Sequence, residues 1–258
     1  MNIAELLKES RIFYDIETYD ILESTNSMLK DMAKYGAKEG KVIIASEQKK
    51  GRGKMNRTFF SPKNSGIYMS ILLKPDMLAE KAVFLTAMTA VAVAETIENV
   101  SGVKAEIKWV NDIYCKGKKV CGILTESGLD LYSGKIDYAV IGIGINLKTA
   151  ETGFPSEISQ IAGAVFEEKD YDEEKKTEII SGILEAVYKY YLEFEKGTYK
   201  EKYKNRSNLL GKEIIVSSGE TIKKAIAVTI DDDCRLVVEY DNGKKETLSS
   251  GDVSIKPI

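Results

Sequence analysis

Histidine is absent from all 258 residues. Its absence excludes Ser-His-Asp and Cys-His nucleophile systems, HExxH metal sites and imidazole proton shuttles, so any catalysis rests on Lys, Arg, Asp, Asn and backbone groups. Cysteine is scarce, with three residues and no CxxC pair. That argues against a disulfide framework and for a reducing compartment, the cytoplasm. The opening "MNIAELLKESRIFYD" lacks the basic and apolar regions of a signal peptide. The longest uncharged run, Ala82 to Ala94, is shorter than the roughly 20 apolar residues of a membrane span and reads as a buried helix. A net charge of -3 leaves no bulk footprint for nucleic acid or an anionic membrane. No internal repeat or low-complexity tract is evident.

What is present describes an ordinary globular protein, with 43% hydrophobic and 30% charged residues. The length suits one large domain, or one large and one small. Residues Asn2 to Glu9 suggest a short helix, and Arg11 to Tyr19 alternates as a strand does. In "ESTNSMLKDMAKYG", Ser24, Thr25 or Asn26 can cap a helix whose apolar positions are Met28, Met32 and Tyr35, with Gly36 as a stop. "KVIIASEQ" and "SGIYMSILLKP" read as strands, joined by a loop. Glu80 to Val100 reads as an all-round apolar helix that needs cover on both sides. Two β-rich segments follow, with turns at Lys116 to Lys118 and Ser133-Gly134. "PSEISQIAGAVFEE" and "EKKTEIISGILEAVYKYYLEFEKG" read as helices, the second packing Ile180, Ile183, Leu184, Val187, Tyr191 and Phe194. From Leu209 onward, short strands broken by SSG, DDD and DNG suggest a small β barrel, with a hairpin at Asp241-Asn242-Gly243. The expected division is 1–207 and 208–258.

The loop "KKGRGKMNR", residues 49–57, carries five cations, two glycines and no acid. Glycine admits close approach of backbone N-H groups, and Arg and Lys supply charge, so the loop suits phosphate or carboxylate; the alternative is a solvated basic loop. No GxxxxGK[ST] occurs, and "GIGINL" puts Leu147 where a dinucleotide fingerprint needs glycine. Gly142 and Gly144 therefore read as points of close backbone approach. "KWVND" groups Lys108, Trp109, Asn111 and Asp112, which could hold a nucleotide and its metal or could be a turn around a half-buried ring. Of Lys118 and Lys119, alternation turns one inward. Cys115 and Cys121 lack metal-site spacing and read as small buried residues.

Taken in order, "STN", "EQKKGRGKMNRTFFSP", "SGIYMSILL", "KWVND", "GKKVCGILTE" and "GIGIN" make the chain resemble the biotin protein ligases from about residue 20 to 150. The tail resembles their small SH3-like domain. The resemblance implies an α/β (α+β) mixed-sheet catalytic domain followed by an SH3-like β domain. It further implies a ligase that makes biotinyl-5'-AMP from biotin and ATP with Mg2+, then passes biotin to one lysine of a biotin carboxyl carrier domain.

Carried over by position, Ser24, Thr25, Asn26, Gln48, Gly51 and Arg52 would contact biotin. Lys119 would meet its carboxylate and the α-phosphate. Arg52, Lys54 and Lys119 would be catalytic. Lys54, Arg57, Phe59, Asn111, Asp112 and Asn146 would face the adenylate, with Asp112 on Mg2+. The chain departs from the family at Lys54 (usually Arg), Asn56 (usually Gly), Phe59 (commonly Trp) and Val110 (usually Pro). About twenty residues precede the STN region, too few for a helix-turn-helix, so no DNA-binding role is expected. The family includes monomers and dimers. The readings that compete are a lipoate or octanoate ligase and a non-catalytic biotin- or nucleotide-binding module.

Overall fold

In a computed structural model, residues 14–218, 221–249 and 252–255 are described. The helix expected at Asn2 to Glu9 lies outside them. Strand β1 (Asp15–Leu22) leads through helix α1 (Thr25–Lys34) to β2 (Lys41–Gln48), parallel to β1. The cationic loop then reverses the chain into β3 (Gly66–Leu73), antiparallel to β2. Helix α2 (Ala82–Ser101) crosses to the far edge, where β4 (Ala105–Lys108) begins a meander through β5 (Asp112–Cys115), β6 (Lys118–Leu129) and β7 (Ile136–Asn146). The resulting sheet has seven strands in the order β1-β2-β3-β7-β6-β5-β4.

Period-two side-chain alternation gives this sheet two different faces. Val42, Ile44, Ile71, Ile141 and Ile145 pack into the main core with α2, while Ile43, Leu72 and Val140 turn the other way onto Leu29 and Ala33 of α1. By the same alternation Ser70, Gly142, Gly144, Asn146, Gly122, Leu124 and Glu126 share the α1 face. Helix α2 is buried without a break from Leu85 to Ala94, because the sheet covers one side and α3 (Glu173–Leu192) and α4 (Thr198–Asn205) cover the other. By length and composition alone the stretch Ala79–Ser101 could cross a bilayer; here it is a core helix.

The C-terminal strands β8 (Glu213–Ser218), β9 (Thr221–Ile230), β10 (Leu236–Tyr240), β11 (Lys245–Leu248) and β12 (Asp252–Ile255) form a five-stranded antiparallel sheet. The turn at Asp241-Asn242-Gly243 joins β10 to β11, as expected. Ile214, Ala227 and Leu236 of this sheet belong to the same core cluster as α2.

Two expectations need correction. "PSEISQIAGAVFEE" forms successive turns, such as Ser159 N to Pro155 O at 2.9 Å, and not a helix. The backbone of β6 captures it: Lys119 N donates to Ile161 O at 2.8 Å and Gly163 N to Lys119 O at 2.9 Å, and such bonds outbid a short helix. On α3, Tyr191 packs against the core as expected, half-buried and with its hydroxyl donating to Glu39 at 2.7 Å, and Tyr190 beside it is buried as well. Tyr35 lies past the end of α1 and is 92% exposed.

Candidate functional site

On the α1 face, a cavity of about 500 Å³ opens between the N-terminus of α1, the cationic loop and strands β3, β5, β6 and β7. Ser24, Thr25, Asn26, Gln48, Arg52, Lys54, Arg57, Phe59, Asn111, Asp112, Lys119 and Asn146 all line it. Of the binding residues carried over from the family, Gly51 alone lies behind the wall. A Cβ there would meet Phe59 O at 2.3 Å and Ser61 Oγ at 2.5 Å, so only glycine lets the loop fold back at this point.

At one end the polar groups are locked to each other. Ser24 caps α1, its Oγ accepting from Ser27 N at 3.4 Å. Gln48 Oε1 accepts from Thr25 N (2.9 Å) and Thr25 Oγ1 (3.1 Å), while Gln48 Nε2 donates to Ser61 Oγ (3.0 Å). Asn26 Nδ2 donates to Leu124 O (3.2 Å) and Glu126 Oε2 (3.1 Å), and the Ser70 hydroxyl lies 2.6 Å from Asn26 Oδ1 and 2.8 Å from Thr25 Oγ1. With both amide hydrogens committed, Asn26 can only accept from a ligand. Gln48 keeps one N-H.

The loop is a hairpin in miniature. Arg52 and Thr58 bridge, Gly53 N donates to Arg57 O at 2.7 Å and Phe59 N to Gly51 O at 2.9 Å, with Met55 in the left-handed region at its tip (φ 58°). This geometry hangs Arg52, Lys54 and Arg57 on the cavity wall. The Phe59 ring lies in a trough made by the facing glycines Gly122 and Gly144, where a Cβ on Gly144 would come within 2.6 Å of it. A Cβ on Gly142 would strike Asn26 Oδ1 at 2.1 Å. Both glycines of "GIGIN" thus serve close approach, as expected.

At the far end Lys119 Nζ lies 2.6 Å from Asp112 Oδ1, and that oxygen, shielded from solvent, still accepts no well-angled hydrogen bond. Lys118 instead turns out, to Gln160 O. Asn111 Nδ2 is tied to Ile123 O at 2.8 Å and Asn146 Nδ2 to Gly163 O at 3.0 Å. Trp109 is buried, 4% exposed, and donates Nε1 to Cys234 O at 2.9 Å, fastening this end to the β9–β10 turn. Phe60 and Phe154 meet edge to face at the rim, 6.5 Å between centroids.

Five cations (Arg52, Lys54, Arg57, Lys108 and Lys119) against the single carboxylate of Asp112 make the wall suited to a polyanion. Mg2+ fits on restricted terms. Among the described residues no group of three metal-ligating side chains occurs, but the buried Asp112 Oδ1, now paired with Lys119, would suit a cation whose remaining ligands are phosphate oxygens and water once Lys119 turns to the ligand.

Sequence reasoning passed over Ser70, Ser61 and Glu126. The last had a signal, since alternation from Gly122 puts Glu126 on the cavity face of β6. Burial tends to raise the Glu126 pKa, but hydrogen bonds from Lys30 and Asn26 and the charges of Lys30 and Arg52 outweigh it and hold the carboxyl below its usual range.

Residues 19–146 match the profile of the Biotin/lipoate A/B protein ligase family and residues 209–256 that of the Biotin protein ligase C terminal domain. The bifunctional ligase/repressor BirA of Bacillus subtilis is 38% identical over 165 residues, covering 60% of this chain and 50% of that protein. The chain therefore spans about half the length of such curated relatives. The biotin-[acetyl-CoA-carboxylase] ligase of Mycobacterium tuberculosis is 26% identical over 239 residues, 89% of this chain and 85% of that one. Biotin protein ligase from Aquifex aeolicus, solved with biotin and ATP, superposes with a TM-score of 0.76 at 25% identity, over 95% of this chain and 99% of that one. Two family profiles in the right order, a matching fold and a cavity that gathers the motif residues lead to one conclusion: the chain belongs to the biotin protein ligase family.

Proposed function

We propose that this protein activates biotin with ATP, forming biotinyl-5'-AMP and pyrophosphate, and then transfers the acyl group to one lysine of a biotin carboxyl carrier domain. The observation that carries the reading is the polarity of the cavity, which has a neutral hydrogen-bonding end at Thr25, Asn26 and Gln48 and a cationic remainder. An uncharged ring system with a carboxylate tail, joined to a nucleotide, has that distribution of charge.

In this account Thr25, Asn26 and Gln48 receive the ring, with Ser24 holding the helix entrance in shape. Arg52 and Lys119 meet the biotin carboxylate as one of its oxygens attacks the α-phosphorus and pyrophosphate leaves. Both act through charge, which a preorganised, water-poor site makes effective. Lys119 must exchange Asp112 for the ligand, and Asp112 is then the carboxylate available to Mg2+. When bound, Mg2+ would neutralise charge on the phosphates. Lys54, Arg57 and Phe59 cover the adenylate and exclude water from a mixed anhydride that water would destroy. Asn111, in the turn before β5 and tied to β6, and Asn146 at the end of β7 brace the nucleotide side. In the second step the carrier lysine amine attacks the acyl carbon and AMP departs. The two domains are proposed as 1–207 and 208–258, and the cytoplasm as the compartment, in keeping with three buried free thiols.

The test is incubation of the purified protein with biotin, ATP, Mg2+ and a purified carrier domain, followed by intact-mass analysis. One added biotinyl group, lost when the acceptor lysine is replaced by arginine, is expected. An unmodified carrier together with no acyl-adenylate would refute the reading.

A further inference from the structure

Glu126 is a half-hidden acid that the reaction just described does not use. Its side chain is 16% exposed and collects donors from two separate elements. Lys30 Nζ of α1 meets Oε1 at 2.7 Å, Asn26 Nδ2 of α1 meets Oε2 at 3.1 Å, and Arg52 Nη1 of the loop lies 3.1 Å from Oε1. Both oxygens are therefore engaged, each facing a donor. A glutamine at this position would present its NH2 to a donor whichever way the amide were turned, leaving one pairing broken and the charge gone. Arg52 uses one edge of its fork here and has N-H groups to spare for a ligand.

The chain on either side of Arg52 is held by backbone bonds, from Lys50 N to Glu23 O at 2.9 Å and from Gly53 N to Arg57 O at 2.7 Å. The guanidinium, 41% exposed, needs its own fixed counter-charge to stay aimed along the wall. We propose that Glu126 is a positioning residue that sets the affinity of the site for the carboxylic acid. It holds the Arg52 guanidinium and, together with Leu124 O, fixes which way the Asn26 amide is turned, and it does not touch the ligand itself. The inference rests on the biotin reading above for the identity of the acid, but its structural half, the tether on the loop, does not.

Two measurements on Glu126→Gln and Glu126→Asp test it, the second variant standing in should the first fail to fold. Without ligand, tryptic cleavage after Arg52 in the folded protein, read well below each variant's Tm, should be roughly fivefold faster than in wild type. In biotin-dependent pyrophosphate exchange, the KM for biotin should rise about tenfold and kcat should fall by less than KM rises, since Arg52 meets the carboxylate before attack as well as during it. An Arg52→Gln/Glu126→Gln double variant should show a KM effect well short of the product of the single effects, since the two residues act as one unit. Wild-type cleavage rates, an unaltered KM, or kcat falling in step with kcat/KM would each overturn the proposal. If wild type shows no exchange with biotin, the biotin reading fails, and the cleavage arm alone decides whether Glu126 tethers the loop.

Discussion

Lys119 Nζ sits 2.6 Å from Asp112 Oδ1, across the antiparallel pair β5 and β6. The two side chains are 30% and 20% exposed, so the pair is neither a solvated surface bridge nor a sealed core one. A cation held this way is pre-aimed, at small desolvation cost, for an anion that replaces its partner. Lys119→Ala should therefore lower biotin-dependent pyrophosphate exchange by about 100-fold or more, the range for losing one transition-state charge contact. Steady-state exchange kinetics read this directly, and near wild-type exchange would mean that another cation carries the role.

Lys54 belongs to the hairpin over the cavity and keeps the charge of the family's usual arginine without its fork. In Lys54→Gly, acyl-adenylate formation should persist, while the share of biotinyl-5'-AMP found free in a rapid filtrate should rise severalfold. Tighter retention than wild type would contradict the covering role.

Gly142 has no room for a side chain, because a Cβ would lie 2.1 Å from Asn26 Oδ1. Asn26 cannot step aside while Leu124 O and Glu126 hold its amide. Gly142→Ala should cost about 1–3 kcal/mol, as overpacking of a fixed neighbour does, and should weaken biotin binding at the same time. Urea denaturation and a biotin titration measure the two effects, and a neutral substitution would show that α1 shifts freely.

Glu98 anchors the segment behind the Trp109–Asp112 wall. It pairs with Arg206 Nη2 at 2.7 Å and accepts from Ala105 N at 2.9 Å, and the Arg206 hydrogen bond chiefly holds its pKa below the usual value. A depressed carboxyl stabilises the fold above its unfolded pKa, near 4.3, and that stabilisation is lost as pH falls through the lower folded value. Glu98→Gln should thus be less stable than wild type by about 1–3 kcal/mol at neutral pH, with the gap closing below about pH 4. A gap that stayed constant in acid would show that the charge contributes nothing.

Burial lifts the thiol of Cys115 to about 11 and that of Cys234 to about 12, and raises Cys121 as well. None should react with iodoacetamide at pH 8 while the protein is folded, and all three should react in denaturant. Mass spectrometry counts the labels, and rapid labelling of the native protein would contradict the packing.

Local signals made part of this legible in advance. A helix cap at Ser24, Thr25 or Asn26, one inward lysine of Lys118 and Lys119, and glycines at close approach are each set within a few residues of chain. Features made by distant partners were not. Residues 155–162 look helical until the backbone of Lys119 takes their hydrogen bonds, and α4 (Thr198–Asn205) is too polar to show a stripe, with Tyr199 and Tyr203 its buried residues. The Trp109 indole is closed off by Cys234, 125 residues away in sequence. Glu126 becomes meaningful only once α1 and the loop stand over β6. Periodicity placed Tyr191 against the core, where it packs half-buried, and passed over its buried neighbour Tyr190.

The most direct test of the central claim is Mg2+-dependent ATP–pyrophosphate exchange by the purified protein, run in parallel with biotin, lipoate, octanoate and no added acid. The account predicts exchange with biotin and none with the other three arms. Exchange with lipoate or octanoate but not biotin would contradict the substrate, and no exchange with any acid would contradict acid activation itself.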